Sequence, residues 1–151
     1  MTVPPALAGI EPWPLAAEIA SAPEATPWAL IAAPAERIEA IAAEIAEQLS
    51  SLLEAEVVRA HLSSATKLID FAYRHSANVV VIDGLDGLDA EAWRRIDLGR
   101  SRLAREQPAI IVLDETRLAL VAANAPNLWS WLGSSIWRGR LEGDAAEQPP
   151  S

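Results

Sequence analysis

Continuous apolar runs alternate along this chain with longer stretches whose apolar residues recur at helical spacing. Three runs stand out: Trp28-Ala-Leu-Ile-Ala-Ala33, Val79-Val-Val-Ile82 and Ala109-Ile-Ile-Val-Leu113. None carries polar alternation, which suits strands covered on both faces, as in a parallel α/β sheet. After the first run, Pro34 starts a helix with Ile38, Ile41, Ile45, Leu49 and Leu52 on one face and Glu36, Glu39, Glu44 and Glu47 mostly elsewhere. Residues 56–62 predict another strand, and Ser63 or Ser64 caps a helix carrying Leu68, Ile69, Ala72 and Tyr73. Asp89 is a good N-cap for a helix with Trp93, Ile96 and Leu103, interrupted near Gly99 and ended by Pro108. Thr116 is expected to cap a helix through Ala123, stopped by Asn124 and Pro126, and residues 136–141 predict a final strand.

The order β-α-β-α-β-α-β-α-β implies a three-layer α/β domain, a parallel five-stranded sheet with helices on both faces. It spans residues 28–141. Residues 1–27, rich in proline and alanine, read as an arm with one short helix from Pro14 to about Ser21. Residues 142–151 read as a flexible tail.

Length and composition narrow the function. A chain of 151 residues, half of them apolar, fits one domain with a real core. No apolar run approaches the roughly 20 residues of a membrane span, and no basic start precedes an apolar stretch; a soluble, cytoplasmic protein without a membrane partner is expected. Without cysteine there is no disulfide, thiolate metal site or cysteine nucleophile. The two histidines, His61 and His75, are isolated in sequence and read as surface or packing residues. A net charge of −9 argues against nucleic acid as a partner. Abundant alanine beside a single lysine, Lys67, points to a GC-rich bacterial genome. Most of the six tryptophans should be core.

Four segments in order carry a resemblance. Val79-Val-Val-Ile-Asp83-Gly-Leu-Asp86 is similar to a Walker B strand, and Ile96-Asp97-Leu98-Gly99-Arg100 to a Leu-Asn-x-x-Arg segment. Residues 109–113 would be a sensor strand ending on Asp114 and Glu115, and Ala125-Pro-Asn-Leu-Trp-Ser-Trp131 resembles an Ala-Pro-Asp-Leu-Trp-Ser-Trp ending. Together they resemble the nucleotide-binding core of bacterial STAND-type ATPases, relatives of the AAA+ and NACHT proteins. The resemblance implies a P-loop NTPase sheet of strand order 5-1-4-3-2, with the Trp28 strand in the centre.

The chain departs from that pattern where phosphate would bind. The first strand should enter a glycine-rich loop ending in Gly-Lys-Ser/Thr, whose backbone N–H groups, lysine and hydroxyl hold the phosphates and Mg²⁺. Here the slot reads Ala32-Ala33-Pro34-Ala35-Glu36-Arg37-Ile38, with no glycine, lysine or hydroxyl. Pro34 removes an N–H donor, and Glu36 sets a negative charge near the helix N-terminus. Gly84 stands where many relatives place a glutamate to orient the attacking water. Asp83 could reach Mg²⁺ through a water, yet a lone carboxylate binds it poorly without phosphates; Asp-Gly is also a strong turn pair.

The expected function is a pseudo-ATPase: no enzyme, no cofactor and no metal, but an adaptor or regulatory subunit contacting a protein partner, either an active ATPase or another copy of itself, in a bacterial signalling or defence system. Alternatives are a domain that binds nucleotide without cleaving it, and a receiver-like or enzymatic domain using the strand-end carboxylates Asp83, Asp86 and Asp114. Partner-binding candidates are Trp129, Trp131 and Trp137, since tryptophan is enriched at interface hot spots. Arg117 joins them, placed to reach a neighbour's phosphates as arginine fingers do.

Overall fold

A computed structural model describes residues 9–21, 28–133 and 135–139. In chain order the elements are β1 (Gly9–Ile10), α1 (Pro12–Ser21), β2 (Trp28–Ala33), α2 (Ile38–Leu52), β3 (Val57–His61), α3 (Ala65–Arg74) and β4 (Val79–Asp83). There follow α4 (Ala90–Leu98), β5 (Ala109–Asp114), α5 (Leu118–Asn124), α6 (Pro126–Leu132) and β6 (Ile136–Gly139). All six strands pair in parallel, in the order β1-β6-β2-β5-β4-β3. Among the described residues, no helix is long and apolar enough to cross a membrane.

The continuous apolar runs make the inner strands because both of their faces are covered. Trp28, Leu30 and Ala32 of β2 pack with Val80, Ile82, Ile111 and Leu113 into a core roofed by α3, α4, α5 and α6. The alternate residues Ala29, Ile31 and Ala33 join Val79, Val81, Ile110 and Val112 in a second core under α1 and α2. Period-2 alternation of side chains thus feeds two apolar layers from one strand. The edge strand β3 is only half-buried, with Arg59 and His61 exposed.

Residues 9–21 do more than an arm would. β1 adds a sixth strand to the five expected, pairing Gly9 with Arg138 and Ile10 with Gly139. The helix begins at Pro12, two residues earlier than Pro14, and buries Leu15, Ala16 and Ile19 completely in the second core. Their i, i+1, i+4 spacing marks a single apolar stripe, which the high proline content disguised. The expected strand end at 140–141 and the tail at 142–151 lie outside the described residues.

Caps fall partly as read. Ser64 accepts from Lys67 N at 3.1 Å and Asp89 from Ala92 N at 2.8 Å. The fifth helix is different: Asp114, not Thr116, supplies the cap, accepting from Thr116 N at 3.0 Å before a 3-10 turn over Glu115–Arg117. Pro126 both ends α5 and starts an additional helix, α6, in whose first turn its missing N–H costs nothing. The cap of α6 comes from across the domain. Asp97, 7% exposed, accepts from Leu128 N at 2.8 Å and Asn127 Nδ2 at 2.9 Å. Asp97→Ala removes the acceptor for both donors, and a loss of about 2 kcal/mol in urea unfolding is expected. Asp97→Asn, which keeps one acceptor oxygen, should lose less.

At the opposite end of the sheet, Arg105 gathers three chain segments. Its guanidinium donates to Gln107 O at 2.6 Å, Ala72 O at 3.0 Å, His75 O at 3.0 Å and Asn78 O. Those carbonyls belong to the entry of β5, the last turn of α3 and the entry of β4. The cation also lies 5.9 Å from the Trp28 ring, whose Nε1 donates to Leu103 O at 2.8 Å.

Candidate functional site

The carboxyl ends of parallel strands are where open α/β sheets place ligands, and here that edge concentrates the polar side chains. β4 delivers Asp83, which is only 8% exposed. Parallel register sets His61 of β3 directly beside it, and His61 Nδ1–H donates to Asp83 Oδ1 at 2.6 Å. Arg59, two residues back on the same face of β3, approaches Asp83 Oδ2 at 3.7 Å. A carboxylate taken out of water needs such partners. In sequence His61 looks like a surface or packing residue and Arg59 carries no signal, because their role depends on strand pairing.

The chain then turns at Gly84, whose φ of +92° is a conformation L side chains rarely adopt. A Cβ there would lie 2.7 Å from Leu62 O and 2.9 Å from Leu62 N. This position therefore has no room for a side chain of any kind. The following 3-10 turn, Leu85–Gly87, presents Asp86, whose Oδ1 accepts from Asp114 N at 2.7 Å.

Contacts of this type continue along the edge. Asp114 is occupied by its own cap, accepting from Thr116 N and Oγ1, both at 3.0 Å. Glu115 reaches Arg138 of β6, with Oε2 3.3 Å from Nε. Since β2 lies between β5 and β6, this ion pair spans the carboxyl end of the central strand. His61–Asp83, Asp86–Asp114 and Glu115–Arg138 thus tie β3 to β4, β4 to β5, and β5 to β6. Of the four carboxylates identified from sequence, Asp83, Asp86 and Glu115 hold strand ends together, and Asp114 caps the turn that follows β5.

Between β2 and the 3-10 turn Ala35–Arg37 only Pro34 intervenes, with φ −59° and ψ 146°. α2 follows at once at Ile38. Glu36 and Arg37 stand exposed on the short turn. A cleft of about 450 Å³ opens beside it, with Ile38 and Glu39 on one wall and Arg59, His61, Asp83 and Asp86 on the other. The resemblance implies Mg²⁺ near Asp83. The residues do not fit it: the carboxylate is already bonded to His61 and faces Arg59, and among the described residues no group of three or more His, Asp or Glu is placed to hold a metal.

The tryptophan candidates do not form one surface. Trp129 packs partly against the core under α3–α6, while Trp137 packs partly against the core under α1 and α2, on the other face of the sheet. Trp131 is the outward ring of α6, 43% exposed, and Leu98 at the end of α4 is 81% exposed. Arg117 is exposed, with no ion pair to any described residue. The sequence matches no protein-family model and no curated protein, so the reading of this edge rests on its geometry.

Proposed function

We propose that this chain is a non-catalytic, NTPase-like domain that works through protein contacts, as an adaptor or regulatory subunit. The observation that carries the reading is the short connection from β2 to α2, made of Pro34 and the 3-10 turn Ala35–Arg37. A phosphate-wrapping loop takes about eight residues, several of them presenting N–H groups to the anion. Four residues led by a proline, which withholds one donor, are too few for such a wrap.

NTPase-like descent is supported by the sheet order. β2 lies between β6 and β5, with β4 and β3 beyond β5, which is the 5-1-4-3-2 arrangement that the resemblance to STAND-type ATPases implies, extended by β1. Loss of catalysis is supported by the engagement of Asp83 with His61 and Arg59, and by the crowding at Gly84. Protein contact is supported by the exposed apolar side chains Trp131 and Leu98.

A calorimetric titration with MgATP, run beside a phosphate-release assay, tests the proposal. No binding up to about 1 mM nucleotide is expected, an affinity worth roughly 4 kcal/mol at most, and no turnover above background. A micromolar dissociation constant that is lost in Asp83→Asn would overturn it.

A further inference from the structure

Between α1 and α2, away from the strand-end carboxylates, lies a second cleft of about 440 Å³. Trp13, Glu11, Glu44 and Gln48 line it over a floor of Ala40 and Ala43. Trp13 is 57% exposed, although α1 is already anchored by Pro12, Leu15, Ala16 and Ile19. The ring is therefore not needed to hold the helix down. Glu11 and Glu44 are exposed, and neither pairs with a cation among the described residues. Beside Glu44 and Gln48 on α2, Glu47 is exposed too.

We propose that this cleft docks an arginine side chain presented by a basic segment of a partner protein. The inference rests on the adaptor reading and adds the chemistry of the partner. An indole face attracts a cation through its quadrupole, most strongly where water is displaced. Carboxylates accept from all five N–H groups of a guanidinium, whose flat shape lies on an aromatic ring while its edge donates. A lysine ammonium offers a point charge and cannot stack. The chain's charge of −9 draws basic segments toward the surface, and the cleft supplies the selectivity.

The test titrates the full chain with blocked hexa-arginine, hexa-lysine and spermine at roughly 0.15 M salt, where charges beyond about 8 Å are screened. Hexa-arginine is expected to bind tightest. Trp13→Ala and Glu44→Gln should each weaken it by about tenfold, while Glu106→Gln, an exposed charge outside the cleft, changes it less than about twofold. In parallel, the indole N–H resonance assigned to Trp13 through Trp13→Phe should shift on titration, with those of the buried Trp28 and Trp93 unmoved. Equal affinity for hexa-lysine or spermine, equal losses in Trp13→Ala and Glu106→Gln, or an unmoved Trp13 resonance would overturn the proposal. Tight MgATP binding in the separate calorimetric experiment would instead remove the adaptor reading and leave these peptide results as they stand.

Discussion

Replacing Gly84 by glutamate is expected to unfold the protein rather than to supply a water-orienting carboxylate. The backbone at this position has φ +92°, and any Cβ would stand 2.7 Å from Leu62 O and 2.9 Å from Leu62 N. Both are backbone atoms of the segment leaving β3, and Leu62 N is already committed to Asp83 O at 2.8 Å. They cannot swing aside as a side-chain tip would. The strained conformation alone costs a non-glycine residue about 1–3 kcal/mol, and the collision adds to it. A loss above about 3 kcal/mol is therefore expected for Gly84→Ala, and more for Gly84→Glu. Gly87, three residues on, is the control: a Cβ there meets nothing within 4 Å, so Gly87→Ala should stay within about 0.5 kcal/mol of the parent. Urea unfolding of the three proteins measures all of this, and a Gly84→Glu protein as stable as the parent would refute the account of this turn.

Arg105→Met is expected to cost about 3 kcal/mol, or roughly 6–12 °C in melting temperature. Burial lowers the Arg105 guanidinium from its usual range to about 10, so it remains a cation at neutral pH. What compensates its desolvation is not a carboxylate but four backbone carbonyls, two of them in the last turn and cap of α3, where the helix dipole favours positive charge. Methionine fills similar space and leaves those carbonyls without their donor. Arg105→Lys should recover less than half of the loss, because three donors on one nitrogen cannot reach four acceptors spread over three segments. Thermal melts of the two variants separate this role from simple packing: if methionine and arginine melt together, the carbonyl contacts contribute nothing.

Much of the fold is legible in local sequence, and the reasons for the exceptions are physical. β2, β4 and β5 announce themselves because a strand covered on both faces must be apolar at every position, as Val79–Asp83 is up to its last residue. Ser64 and Asp89 announce helices because the cap bond spans only three residues. β1 has two residues, too few for any period to register. α6 hides behind Pro126, which stops one helix and opens the next, and its cap lies about 30 residues away in Asp97. The strand-end carboxylates were found as candidates, but their occupation was not, since His61 meets Asp83 only through the register of β3 on β4. Grouping Trp129, Trp131 and Trp137 by nearness in sequence fails for a related reason: along β6, Ile136 and Trp137 turn to opposite faces of the sheet. Arg105 donates to backbone carbonyls, which no sequence motif records.

The place of β2 in the sheet has a consequence for how the protein is made. The strand is translated before both of its inner neighbours, β5, beginning at Ala109, and β6, beginning at Ile136. Roughly 80 residues must leave the ribosome before Trp28 can meet Ala109, which at about 5–20 residues per second is roughly 4–16 seconds. Throughout that interval six residues that end up wholly buried have no strand to pair with. Loop closure over such a distance also slows the first productive pairing. The nascent chain is thus most vulnerable to aggregation in its own central strand, and chaperone binding during synthesis should map to Trp28–Ala33.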